Sequence, residues 1–275
     1  MRQIIKTGLA AVLLALSIAA EALAAEYVFA VPPRESEQKA RETYQPIADY
    51  LGKVTGAKFT LRYTDNWLTY QSDMRKDVYD LVFDGPQFIG WRMAKLQHSP
   101  IAKLQGNLVF VVIARTDNAK VKELKDLAGR SVCGFAPPNL ATLTMYVQFD
   151  NPARQPAVRE VRQNFKEAYE KVLSKECDGG VLQVAIYDKL NDGPTKDTTQ
   201  ILFKSKPVPN QGFSASARIP ADIQKKITDA LVSPEGQAAT AKLRGEFGNK
   251  DMVAATVPEY EGLGKLLKDV WGFSL

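Results

Sequence analysis

The run Asn107-Leu108-Val109-Phe110-Val111-Val112-Ile113-Ala114, with its tail Arg115-Thr116-Asp117-Asn118, decides how this chain folds. It is the most apolar stretch beyond the N-terminal segment, and a short apolar run closed by turn formers predicts a strand buried on both faces. The polar tail has the composition of a crossing between domains, and Pro207-Val208-Pro209 reads as a second crossing. Between them lies a block with strands and helices of its own. The reading is therefore two lobes: 26–114 with 207–275 as a discontinuous first lobe, and 115–206 as the second.

Outward from that run, short apolar segments alternate with amphipathic ones, which is the pattern of an α/β protein built from βα units on largely parallel sheets. Tyr27 to Val31 reads as a strand ended by Pro32-Pro33. Ser36 is placed to cap a helix carrying Ala40, Tyr44, Ile47 and Leu51, with a kink or restart expected at Pro46 and an end at Gly52 or Gly56. Phe59, Leu61 and Tyr63 alternate with polar residues, as a half-exposed strand requires. A helix over 67–76, a short strand over 80–83 and a helix opening at Pro86 follow. The middle block predicts helices over 121–129, from Asn139, and over 164–175, with strands over 131–135, 180–185 and 200–203. Past the second crossing come a strand over 212–217 and helices over 221–232, 234–246 and 258–270. Open α/β sheets bind ligands beyond the carboxyl ends of their strands, so both lobes should turn strand-to-helix loops toward one shared cleft.

Composition narrows the chemistry. One histidine and two cysteines in 275 residues cannot build a His-rich or Cys-rich metal centre, so neither a metal nor another cofactor is expected. The 36 Lys and Arg are interleaved with 31 Asp and Glu, which describes a solvated surface and not a nucleic-acid stripe. Arg2 and Lys6, the apolar run from Leu9 to Ala20, and Ala22-Leu23-Ala24 have the layout of a cleaved export signal over 1–25, which predicts a soluble periplasmic protein. Cys133 and Cys177 then meet an oxidising compartment, where a disulfide is expected; two buried thiols are the alternative.

Three segments carry a resemblance. Tyr44-Gln45-Pro46-Ile47-Ala48-Asp49-Tyr50-Leu51, Tyr79-Asp80-Leu81-Val82-Phe83-Asp84-Gly85-Pro86 and Leu124-Lys125-Asp126-Leu127-Ala128-Gly129-Arg130 resemble the phosphate, phosphite and phosphonate branch of ABC-transporter solute-binding proteins. Cys177-Asp178-Gly179-Gly180-Val181 and Tyr260 continue it. The resemblance implies a type II periplasmic-binding-protein fold that closes like a jaw and delivers solute, as a monomer, to an inner-membrane ABC permease.

The resemblance also points to ligand contacts. In the first lobe they fall on Trp67 and on Gly85-Pro86 with Gln87 and Phe88, with Arg34 as a further candidate to neutralise an anion. In the second lobe the family's Ser-Thr-Ser-Gly run is replaced by Pro138-Asn139-Leu140-Ala141-Thr142, its histidine by Phe165, and its acidic position by Gln183. Asn139, Leu140, Phe165 and Gln183 are therefore the candidates there. Each replacement removes a hydroxyl, a cationic donor or a carboxylate, so the expected ligand is a small organic anion, phosphonate-like or bearing another oxyanion, and not bare phosphate.

Catalysis has little to stand on. No Gly-x-Ser-x-Gly elbow exists, and His98 lies in Gln97-His98-Ser99-Pro100, a loop-like tract where a solvated imidazole is expected. No catalytic residue is assigned, and a periplasmic hydrolase is the weakest reading. A receptor subunit docking on a membrane sensor kinase or chemoreceptor is the other alternative, since it would use the same jaw.

Overall fold

The computed structural model describes residues 25–268 and Phe273. Apart from Ala25, the predicted export signal lies outside the described residues. The first lobe opens with β1 (Glu26–Ala30), α1 (Glu37–Thr55), β2 (Lys58–Arg62), α2 (Trp67–Arg75), β3 (Leu81–Asp84), α3 (Pro86–Leu96) and β4 (Ser99–Leu104). The chain then runs through β5 (Asn107–Leu108) into β6 (Phe110–Arg115). The second lobe continues with β7 (Ser131–Gly134), α4 (Leu140–Tyr146), β8 (Ala157–Glu160), α5 (Phe165–Leu173), β9 (Gly179–Gln183), α6 (Val184–Leu190) and β10 (Thr199–Lys204). After β11 (Val208–Pro209), the first lobe is completed by β12 (Gly212–Ala215), α7 (Ala221–Val232), α8 (Pro234–Ala239), α9 (Ala241–Glu246), β13 (Met252–Ala254), α10 (Val257–Tyr260) and a 3-10 turn at Leu263–Leu267.

The two sheets are mixed, six strands ordered β13-β4-β12-β3-β1-β2 and five ordered β10-β6-β9-β7-β8. The crossings explain why they are not all parallel. Strand β12 enters the first sheet from the end where β3 finishes, so it must run antiparallel to β3, with Gly212 opposite Asp84. Strand β6 likewise enters the second sheet beside the end of β9, with Phe110 opposite Gln183. The expected crossing near 115 moves accordingly. Because β6 pairs with β9 and β10, the chain leaves the first lobe at β5, which forms a small antiparallel pair with β11 through Leu108 and Val208. The polar tail instead turns at the outer pole of the second lobe, where Arg115 Nη1 donates to Val172 O at 2.8 Å.

Local chemistry accounts for most elements. Ser36 accepts the N–H of Lys39, and Gly56 closes α1 in the left-handed region at φ 74°. Helix α1 runs through Pro46 without a restart. The carbonyl that Pro46 leaves unpaired belongs to Glu42, an exposed residue, so water can satisfy it. The predicted 234–246 helix divides at Thr240, whose hydroxyl donates back to Gly236 O at 2.8 Å. Cys133 and Cys177 form a disulfide, with Cα atoms 5.8 Å apart, beside Val161 and Ala168.

The first lobe is fastened by a buried ion pair. Arg92 on α3 and Asp84 at the end of β3 are both 0% exposed, joined by Nη2 to Oδ1 at 2.6 Å and Nη1 to Oδ2 at 2.8 Å. The Tyr70 hydroxyl of α2 donates to Asp84 Oδ2 at 2.6 Å, and Ser214 Oγ of β12 accepts from Arg92 Nε at 3.1 Å. Burial opposes the guanidinium charge, but the adjacent carboxylate outweighs it and raises the Arg92 pKa. Burial first, then the negative charge of Asp84, hold the Tyr70 phenol protonated as a donor.

His98 corrects an expectation. It is buried, not solvated, with Nδ1 3.5 Å from Ser214 Oγ and Nε2 3.7 Å from Asp77 Oδ1. Burial, aided by the positive charges of Arg92 and Arg218, pushes its pKa from 6.5 down to about 2.

Two outcomes follow for stability. Arg92→Leu strands a buried carboxylate and should cost about 3–5 kcal/mol in urea denaturation, whereas Arg92→Met combined with Asp84→Leu should recover much of that loss. His98 stays neutral in the fold but takes a proton near pH 6.5 in the unfolded chain, so the unfolded state binds more protons below that pH. Stability should fall by about 1.6 kcal/mol in all as pH drops from 6.5 to 5, the slope steepening toward about 1.4 kcal/mol per pH unit. The His98→Leu variant should lack that slope when both proteins are denatured across this range.

Candidate functional site

The carboxyl ends of β1, β2 and β3 lie side by side because the three strands are parallel, and each is followed at once by a loop. After β1, Pro32-Pro33 turns the chain and Arg34 stands exposed at the rim, its guanidinium 5.7 Å from the ring centre of Phe247. After β2, Asn66 caps α2 by accepting the N–H of Thr69, which sets Trp67 at the first helical position. After β3, Gly85 is the N-cap of α3 and Pro86 its first residue, so Gln87 and Phe88 occupy the opening turn.

These side chains form one wall. The half-buried Trp67 ring stacks on Phe88, with centroids 5.8 Å apart and planes at 17°. Tyr70 meets both rings edge-on, at 5.8 Å and 6.1 Å. Gln87 is buried, donates from Nε2 to Pro138 O at 3.1 Å, and leaves Oε1 without a partner. The structure thus brings Trp67, Gly85, Pro86, Gln87 and Phe88 together and leaves Arg34 outside that cluster.

The second lobe offers its own strand ends. Asn139 caps α4 by accepting the N–H of Ala141 at 3.0 Å, which uses one of the donors that an anion would otherwise receive. Leu140 is buried in the core of this lobe, so its side chain packs inward. Phe165 opens α5 and meets Phe135, which follows β7, edge-on at 5.0 Å. Gln183 ends β9 as the half-buried N-cap of α6, and its side chain makes no cap bond. Strand β9 therefore stops short of the predicted 185, with Ala185 already helical.

The lobes touch directly. Besides the bond from Gln87 to Pro138, Leu143 of α4 packs among Phe88, Trp91, Leu267 and Phe273 of the first lobe. The C-terminal turn holds α3 in place by backbone contact. A methyl group at Gly90 would lie 2.7 Å from Gly264 N, and one at Gly264 would lie 2.8 Å from Trp91 Cα. Leu266 packs against both the second-lobe core and the cluster containing Phe88.

Sequence reasoning missed Thr64, which follows β2 and is buried with Oγ1 unpartnered. An isolated threonine after an alternating strand gives no pattern signal, and only burial without a partner marks it. Among the described residues, no group of three or more His, Cys, Asp or Glu is arranged to hold a metal ion.

Residues 29–260 match a family model described as ABC transporter, phosphonate, periplasmic substrate-binding protein. Among solved structures, a Xanthomonas citri protein bound to ATP aligns over 92% of this chain and 100% of its own, with a TM-score of 0.67 and 13% identity. PhnD1 from Prochlorococcus marinus, in complex with methylphosphonate, aligns over 88% and 97%, with a TM-score of 0.61 and 12% identity. A binding protein component of an ABC phosphonate transporter from Pseudomonas aeruginosa aligns over 86% and 83%, with a TM-score of 0.56 and 14% identity. At these identities the likeness is one of fold. No curated protein sequence matches the chain.

Proposed function

The chain belongs to the phosphonate-type family of ABC-transporter periplasmic substrate-binding proteins, and we propose that its solute is a small organic oxyanion gripped between the two lobes. The general role is solute binding for import and not catalysis, and the family acts in the periplasm with an ABC permease. The choice of solute class is carried by the wall chemistry. The half-buried Trp67, backed by Phe88, which is itself buried in the core, gives the first lobe an aromatic surface, and the half-buried Phe135 and Phe165 give the strand ends of the second lobe another.

Bare phosphate gains nothing from aromatic surface, whereas a carbon skeleton does. The oxyanion would be met by neutral donors: the backbone N–H of Gln87 at the start of α3 and the side-chain amides of Asn139 and Gln183. Arg34 would act at the rim as a long-range attraction. Methylphosphonate, bound by the Prochlorococcus relative, is one member of this class. Leu140 is assigned to packing behind Asn139 and not to contact, because its side chain belongs to the core. The protein would work as a monomer, closing on one solute molecule.

Isothermal calorimetry against inorganic phosphate and a series of alkylphosphonates tests the proposal. Organic members should bind more tightly than phosphate, and a strong affinity for phosphate alone would overturn it. In the same assay Trp67→Ala should weaken binding about 10-fold, while the empty protein should lose about 2 kcal/mol from the ring contacts and the buried part of the side chain. An unchanged affinity would remove Trp67 from the site.

A further inference from the structure

The C-terminal segment is fastened to the first lobe at two places. Tyr260, the last residue of α10 and fully buried, donates its hydroxyl to Asn210 O at 3.3 Å, just after β11 at the root of the second crossing. Beside it, Lys103 of β4 pairs with Glu259. Further on, Gly264 presses backbone to backbone on α3. A methyl group there would stand 2.8 Å from Trp91 Cα, and one on Gly90 would stand 2.7 Å from Tyr260 O. Leu267 and Phe273 are buried in the cluster around Phe88 and Trp91. Backbones packed this closely cannot slide, so residues 257–267 move with the first lobe.

Two side chains tie this segment to the other lobe. Leu266 is half-buried and packs against the second-lobe core as well as the first-lobe cluster. Leu143 makes the reverse crossing. It sits on α4 of the second lobe, yet it is 3% exposed and joins Phe88, Trp91, Leu267 and Phe273 instead of the core of its own lobe. The bond from Gln87 Nε2 to Pro138 O adds a polar contact between the lobes. Parting the lobes would return both leucines to water. Their burial favours the joined lobes with or without solute, because only protein atoms take part.

We infer that residues 257–267, with Phe273, form a strap that latches the second lobe to the first independently of solute, and that Leu143 and Leu266 are the positioning residues through which it sets how fast solute leaves. The strap acts on the arrangement of the lobes and not by contact with solute. A latch that stabilises the joined lobes equally in the empty and loaded protein slows dissociation, and it leaves association no faster. The effect on release rests on the proposal that solute is gripped between the lobes; the effect on the empty protein does not.

Small-angle X-ray scattering of the solute-free protein tests the latch directly. Leu143→Gln places an amide at the seam that water can reach only when the lobes part, and it spares the second-lobe core, to which Leu143 does not belong. This variant should have a larger radius of gyration than the wild-type protein and should contract on addition of methylphosphonate, whereas the wild-type radius should change little. Leu266→Ser should behave in the same way, which preserves the test if the glutamine variant does not fold. In stopped-flow fluorescence with methylphosphonate, each variant should release the compound about 10-fold faster and bind it no more slowly. Wild-type radii in both variants, or slower association with unchanged dissociation, would overturn the inference. Failure of the wild-type protein to bind any organic oxyanion would instead remove the solute proposal, and the scattering comparison would still decide the latch.

Discussion

The paired charges of Asp84 and Arg92 are the constraint around which the first lobe is built. Asp84 is the last residue of β3, immediately before Gly85-Pro86-Gln87-Phe88. Arg92 lies further along the helix that those residues begin, and its guanidinium returns to Asp84 in a two-pronged grip. The strand end and the helix therefore cannot rotate independently. Tyr70 brings in α2, which carries Trp67, and Ser214 brings in β12, the strand that returns from the second lobe. Moving two charges out of water makes such a pair a poor source of net stability. What it supplies here is position, because the pieces bearing Trp67, Gln87 and Phe88 all meet at one carboxylate.

Rigid support on one side fits a molecule whose working motion is between lobes. The two crossings pair with each other as β5 and β11, so they can bend together without breaking either sheet. Helix α3 is gripped from within by Arg92 and from outside by the close contact of Gly90 with Gly264. Elements held this firmly move as a body, and the differential contacts that favour closure are made where the bodies meet.

Much of this was legible in the sequence, for identifiable reasons. Alternation marks β2, the capping residue Ser36 marks the start of α1, and Gly85-Pro86 marks the turn into α3, because each is a local effect of one or two side chains. Polarity does not mark the crossing. The chain actually crosses inside the apolar run, where Leu108 still packs against the second-lobe core and β11 satisfies the backbone. Strands β4, β8 and β13 were not anticipated, since their place depends on neighbours distant in sequence. His98 reads as solvated because its tract looks like a loop, whereas Ser214, on a strand far along the chain, comes to lie against it. In the site, aromatic residues and glycines announced themselves, but Thr64 and the orphaned oxygen of Gln87 are visible only once burial and partners are known.

The contacts between lobes bear on how tightly solute is held. The bond from Gln87 to Pro138 and the packing of Leu143 among Phe88, Trp91 and Phe273 are made by protein groups alone. A receptor whose closed state is partly stabilised in this way loses less of the ligand's binding free energy to closure, so apparent affinity approaches intrinsic affinity. The same contacts must be undone for release. A transporter that collects solute from such a receptor has to separate α4 from the C-terminal turn and α3, which requires a grip on both lobes at once. Leu266 and Leu143 are the apolar side chains at that seam.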